Sequence, residues 1–77
     1  MKSKRFVEVL WEDAEAGNSA WTTQADAEKL SPPLVTMRGY QVKRDKKALV
    51  LAMGFHEDSW LNTFTIPAKM VKRVRRL

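Results

Sequence analysis

The sequence predicts a small, mainly β domain in which five strands and one short α-helix form a barrel. Runs of alternating apolar and polar residues lie near both ends of the chain, as expected for strands with one buried face. Between them, residues 48–53 are almost wholly apolar, which is typical of a central strand covered on both sides. Gly39 interrupts the longest strand-like run, and a glycine there often permits the sharp bend of a small barrel.

The length and composition fit one domain over residues 1–77. A chain of 77 residues without cysteine has neither disulfides nor thiolate-bound zinc, so a small hydrophobic core must stabilise it. The charged start, residues 1–5, precedes an apolar run too short for a signal peptide, and no run is long enough to span a membrane. We therefore expect a cytoplasmic protein without a membrane partner, of a size compatible with a homo-oligomer.

The first strand is predicted over residues 5–11, where alternate side chains share a face. One face carries Val7, Val9 and Trp11, and the other carries Phe6, Glu8 and Leu10. Residues 12–19 have no apolar pattern and contain the pair Gly17-Asn18, so they predict a loop.

A short helix is predicted to begin at the threonines 22 and 23 and to end before Pro32. A threonine hydroxyl can accept from free backbone N–H groups, and Asp26, three residues after Thr23, gives a weak form of the capping box. Two to three helical turns do not persist alone in water. We therefore expect Trp21 or Leu30 to pack against the barrel.

Four more strands are predicted after the prolines. Their ranges are 34–44, with the bend at Gly39, then 48–53, 60–66 and 71–77. Residues 44–47 are polar and predict a hairpin tip, and residues 54–59 predict a loop.

The segment 66–71, Ile-Pro-Ala-Lys-Met-Val, resembles the turn of Src-homology-3 domains, in which a proline opens one helical turn between the last two strands. The order of elements is similarly that of a five-stranded Sm-like or Src-homology-3-like barrel, so the resemblance implies that fold. It does not imply recognition of proline-rich peptides, because Met70 stands where those domains place a ligand-stacking tyrosine. No acidic loop flanked by tyrosines follows the first strand either.

A second resemblance spans most of the chain. The segments 9–14, 32–36, 39–40, 49–52 and 66–67, with the basic end, look like a family of short uncharacterised proteins encoded by bacteriophages and prophages. This resemblance implies a phage origin and a location in the host cytoplasm, and it assigns no activity to any residue. Short phage proteins commonly either manage phage nucleic acid or bind and disable a host factor.

The charge is divided along the chain and predicts the candidate binding residues. Residues 6–28 carry six acids and no lysine or arginine, whereas residues 29–77 carry eleven bases and three acids, within a net charge of +5. First and last strands are usually neighbours in such barrels, so both termini contribute to one basic patch able to bind phosphates. The predicted contacts are Lys69, Lys72, Arg73, Arg75 and Arg76, together with Lys4 and Arg5 and, at the hairpin tip, Lys43 and Arg44.

Arg38 and Tyr40 share a strand face and are predicted to form a platform for stacked bases. The alternatives are structural. Basic residues protect exposed edge strands from pairing with other chains, and a lone strand tyrosine more often packs at a barrel rim. Tryptophans are expected in the core or at the docked helix.

Catalysis, metal binding and cofactors are not expected. His56 is the single histidine, and although Glu57 and Asp58 follow it, no convergent partner is visible elsewhere in the sequence. The acids in the 12–15 segment lack the ligand spacing of a calcium loop.

Three functions remain open at this point. A basic patch favours a small phage-type module that binds nucleic acid without sequence preference. A second hypothesis is a host-takeover or anti-defence inhibitor that binds a protein through residues 12–17, the helix or a strand edge. A third is an oligomer that sequesters a small ligand between subunits.

Overall fold

In a computed structural model of the protein, which describes residues 4–14 and 20–77, five antiparallel strands form one open sheet. The strands lie side by side in the order β4-β3-β2-β1-β5. Their bounds are Arg5–Glu12 for β1, Leu34–Arg44 for β2, Ala48–His56 for β3, Ser59–Pro67 for β4 and Val71–Arg76 for β5. The prediction of a mainly β chain with one short helix is confirmed.

The core lies on one side of the sheet. Val7, Val9 and Trp11 are buried there, as their alternation along β1 predicts. They form one cluster with Leu49, Leu51 and Ile66, and Val35, Met37, Val71 and Val74 pack against it. Since β1 is separated from β3 and β4 by β2, the sheet must curve over this cluster.

The strand β2 pairs with different strands along its length. Leu34–Gln41 pairs with β1, whereas β3 pairs with residues 40–44, with a bulge between Gln41 and Lys43. Gly39 is buried here, and a Cβ on it would lie 2.9 Å from the carbonyl oxygen of Ala52. Only glycine therefore allows β3 to approach this closely.

The predicted loop over residues 54–59 is wrong for most of its length. β3 continues to His56 and pairs with β4 up to His56↔Ser59, so the turn is only two residues long. Glu57 adopts the positive φ of 52° that a tight hairpin turn requires. A non-glycine residue at such a φ is uncommon, which is why no hairpin turn was predicted here.

The capping prediction for the helix is confirmed, and the docking prediction is wrong. The Thr23 hydroxyl accepts from the Asp26 backbone N–H at 3.2 Å, and α1 covers only Gln24–Ala27. Trp21 is 92% exposed and Leu30 69% exposed. One helical turn presents too little apolar surface to reach the sheet, and strand residues already fill the core.

A backbone hydrogen bond of 3.0 Å from Asp13 N to Pro33 O closes the base of the connection between β1 and β2. Within that connection, every residue from 20 to 32 is exposed. Over the described parts of the chain, no helix has the length and apolar character needed to cross a membrane.

Candidate functional site

The pairing of β1 with β5 brings both ends of the chain together, as predicted. Glu8 lies opposite Arg75 and Leu10 opposite Arg73, and the Leu77 N–H donates to the Phe6 carbonyl at 2.9 Å. Because side chains alternate across a strand, these pairs lie on the side of the sheet opposite the core. We call this side the outer face; it carries Phe6, Glu8, Leu10, Arg38, Tyr40, Arg73 and Arg75.

Glu8 stands at the centre of the outer face between two arginines. Arg38 Nε donates to Glu8 Oε2 at 2.8 Å, and Arg75 Nη2 donates to Oε1 at 2.9 Å. The hydrogen bond from Arg38, together with that from Arg75, lowers the pKa of Glu8 despite its partial desolvation. Three neighbouring strands thus hold two positive charges against one negative charge.

Both guanidinium groups keep donors that no described residue uses. Each arginine has five N–H groups and gives one of them to Glu8. The side chains of Arg38 and Arg75 remain 60% and 57% exposed. These guanidinium groups can still donate to an incoming anion. Together, Arg38, Arg75 and Glu8 carry a net charge of +1.

Four aromatic side chains continue from this cluster across the sheet. We call Phe6, Tyr40, Phe55 and Trp60 the aromatic row. Successive ring centroids are 5.0, 5.3 and 6.2 Å apart, and each ring meets the next edge to face. Lys4 Nζ lies 4.7 Å from the centroid of Phe55, so a cation accompanies the row.

The predicted platform of Arg38 and Tyr40 is therefore only part of a larger surface. Arg38 bonds to Glu8, while Tyr40 packs between Phe6 and Phe55. Sequence reasoning did not place Phe55 at this surface because the residue lies in the predicted loop. Phe6 could have been placed there, because it lies on an outward-facing position of the first strand. Trp60 joins the row, and only Trp11 among the three tryptophans is a buried core residue.

A depression of about 230 Å³ lies at the far end of the aromatic row. Its lining consists of Phe55, His56, Ser59, Trp60 and Leu61. His56 itself is exposed at the end of β3, with Nε2 3.8 Å from the exposed carboxylate of Glu57. The described residues contain no group of three or more potential metal ligands.

A second basic group surrounds the turn between β2 and β3. The Asp45 carboxylate accepts from the backbone N–H groups of Lys47 at 2.8 Å and Ala48 at 2.9 Å, and these bonds lower its pKa. Next to this turn, the 3₁₀ turn Ala68–Met70 that follows Pro67 places its first N–H 2.9 Å from the Lys47 carbonyl. We call Lys43, Arg44, Lys46, Lys47 and Lys69 the basic tip.

The predicted basic patch is thus divided along β5. Lys69 belongs to the basic tip, and Lys72 is paired with Glu12 at 3.4 Å. Arg73 and Arg75 lie on the outer face. Arg76 pairs with Val7 and so lies on the other side of the strand, as does Arg5, which is two residues before Val7 on β1.

The surface predicted for a protein partner is described in part. Residues 15–17 of the 12–17 loop lie outside the described residues. The described part of the connection exposes Trp21 and Leu30, and Leu34 is exposed at the start of β2.

No protein-family model matches the chain, and neither the comparison with curated proteins nor that with solved structures gives a significant match.

Proposed function

We propose that the chain is a small phage-type binding module of the host cytoplasm, with an Sm-like or Src-homology-3-like barrel, that binds nucleic acid without sequence preference. Three features support this fold: the strand order, the neighbouring first and last strands, and the 3₁₀ turn after Pro67. The function rests on charge and aromatic surface rather than on a catalytic group.

The observation that carries the proposal is the outer face. It places Arg38, Arg73 and Arg75 on the same side of three adjacent strands and next to the aromatic row. Arginines bind phosphates through several donors and release the counterions of the backbone, which supplies most of the affinity in binding without sequence preference. Aromatic rings beside them add a contact that any base can make.

The basic tip adds charge that is not neutralised locally. Lys43 lies 3.3 Å from Asp45, whereas Arg44, Lys46, Lys47 and Lys69 form no ion pair with a described carboxylate. These side chains can contact additional phosphates or accelerate the encounter with a polyanion.

One observation favours a second candidate, the binding of a host protein. Trp21 is almost fully exposed and lies in a connection that also exposes Leu30, with Leu34 exposed where β2 begins. Tryptophan is enriched among the residues that dominate protein interfaces. In this candidate the connection would dock on the partner, and replacement of Trp21 by alanine would abolish docking without affecting nucleic acid.

The nucleic-acid proposal is tested by fluorescence anisotropy with a labelled 20-nucleotide single strand and a 20-base-pair duplex at about 20 mM salt. The test variant is Arg73→Glu, since Arg73 forms no ion pair with a described carboxylate. The control is Lys29→Glu, an equal charge change on the exposed connection. We expect about a tenfold loss for the first variant and less than about a twofold loss for the control. Equal losses, or no binding by the unaltered protein, would overturn the proposal.

A further inference from the structure

The aromatic row carries no charge that would bind phosphates, so it is a feature separate from the arginines; it begins on the outer face with Phe6 and Tyr40 and continues through ring contacts to Phe55 and Trp60. Four rings from four different strands follow one another at centroid distances of 5.0 to 6.2 Å. Phe6 and Phe55 remain 38% and 42% exposed. Rings in the middle of a core would be buried, so this row leaves aromatic surface in contact with solvent.

From this surface we infer that the protein prefers single-stranded nucleic acid, whose unpaired bases stack on the aromatic row. The inference rests on the proposed function and specifies its ligand. In a duplex the bases stack on one another and expose only their edges to the grooves. Unpaired bases expose their faces, and stacking on aromatic side chains is the usual way in which proteins bind them.

Cations lie beside the two inner rings of the row, where they can reach the phosphates of a strand that contacts the rings. Arg38 is two residues from Tyr40 on the same strand face, and Arg75 shares Glu8 with it. Lys4 lies over Phe55. A strand whose bases contact the rings would thus keep its phosphates within reach of arginine and lysine side chains.

The depression beside Trp60 fits a small planar group better than a large ligand. Its volume of about 230 Å³ is below the roughly 300 to 1,000 Å³ of sites that enclose drug-sized molecules. Phe55, Trp60 and Leu61 provide apolar surface there. We assign this depression to the last base of the bound strand.

The other elements of the described residues offer no comparable means of reading the base edges of a duplex. A major groove admits an α-helix or a two-stranded ribbon that carries polar side chains to the base edges. Helix α1 has four residues, and the end of the β3–β4 ribbon carries apolar side chains such as Met53, Phe55 and Leu61. These three side chains cannot hydrogen-bond to base edges, whereas the ring of Phe55 can stack on a base.

The test compares three probes at about 50 mM salt: a 20-nucleotide oligothymidylate, an abasic strand of the same length, and a 20-base-pair duplex. The abasic strand keeps the phosphates and removes the bases, so it needs no protein variant. We expect the unaltered protein to bind oligothymidylate at least about fivefold more tightly than the abasic strand. Equal affinities for these two strands would overturn the stacking inference.

A variant then locates the contact. We expect Phe55→Leu to weaken oligothymidylate binding at least about fivefold and to leave abasic and duplex binding within about twofold. Phe55→Tyr, which keeps the ring, should bind like the unaltered protein, and thermal unfolding of each variant shows whether the hairpin is intact. If Phe55→Leu does not fold, the comparison of probes on the unaltered protein decides alone.

The outcomes separate this inference from the proposed function. Binding of single strand, abasic strand and duplex with equal affinity would leave the nucleic-acid function standing and remove the single-strand preference. No binding of any probe at low salt would remove the function itself.

Discussion

On the outer face, one carboxylate holds two guanidinium groups beside a row of aromatic rings, whereas at the basic tip lysine and arginine side chains surround a backbone turn that has no aromatic residue. Both regions carry excess positive charge, yet they differ in what else they present. The basic tip can contribute attraction to any polyanion. The outer face can add stacking of nucleobases. The two regions are therefore expected to respond differently when bases are removed from the ligand, when a side-chain charge is changed and when the pH is lowered.

The close approach of β3 to Gly39, on β2 between the two regions, gives the largest expected effect. A Cβ at Gly39 would lie 2.9 Å from the Ala52 carbonyl oxygen, whereas one at Gly54 would have no neighbour closer than 3.9 Å. We expect Gly39→Ala to lower the free energy of unfolding by about 1 to 3 kcal/mol. Gly54→Ala is the control and should be neutral or slightly stabilising, because its φ is not positive. Urea denaturation measures both, and equal effects would contradict the close approach at Gly39.

Charge reversal at the basic tip separates attraction from stacking. Lys46 forms no ion pair with a described carboxylate, so Lys46→Glu removes charge without breaking a contact of the fold. We expect it to weaken oligothymidylate and duplex binding alike, by about threefold to tenfold at low salt. Lys29→Glu is the matched control. A loss confined to the single strand would show that the basic tip also distinguishes bases, which would contradict the difference proposed between the basic tip and the outer face.

Neutralisation of Glu8 is expected to increase binding. Glu8→Gln frees Arg38 and Arg75 from their carboxylate, and we expect about a threefold to tenfold gain in affinity for oligothymidylate. Asp45→Asn changes the net charge equally and frees only Lys43, so its gain should be smaller. Anisotropy titrations measure both variants. A loss of affinity on Glu8→Gln would mean that the arginines bind phosphate only when Glu8 positions them.

The pH dependence of stability gives the smallest effect. The pKa of Glu8 is lowered from 4.5 and that of Asp45 from 3.8, so folding is favoured when both are ionised. This contribution is present above the unfolded pKa values and is lost as the pH falls through the lower folded values. Urea midpoints measured from pH 7 to pH 3 should therefore fall less steeply for Glu8→Gln than for the unaltered protein. An identical slope would show that the arginine pairing adds nothing to stability.

The strand pattern and the core could be predicted from the sequence because both follow local alternation. Val7, Val9 and Trp11 occupy every second position of β1, and β2 has the predicted bounds. The Thr23 cap was likewise visible, because it depends on residues three apart. The docking of the helix could not be predicted, since whether Trp21 contacts the sheet depends on tertiary packing.

The surface was predictable only in part, because its members come together through pairing between distant strands. Lys69 lies next to the hairpin tip because the 3₁₀ turn that contains it hydrogen-bonds to the Lys47 carbonyl, and no sequence spacing predicts that contact. Phe55 reaches Tyr40 only because β3 continues beyond the predicted end at residue 53. The positive φ at Glu57 lets a tight turn follow directly after β3. Such turns usually place glycine or asparagine at a positive φ, so glutamate at this position does not predict the turn.

The central claim is that the protein binds a strand through two independent contributions, charge and stacking. The direct measurement is the affinity for oligothymidylate and for the abasic strand over a salt series from about 20 to 300 mM. Counterion release makes the logarithm of affinity fall linearly with the logarithm of salt, with a slope of about −0.7 for each phosphate contacted on a single strand. We expect two parallel lines separated by a constant offset, because stacking does not depend on salt. Coincident lines, or no binding at the lowest salt, would contradict the account.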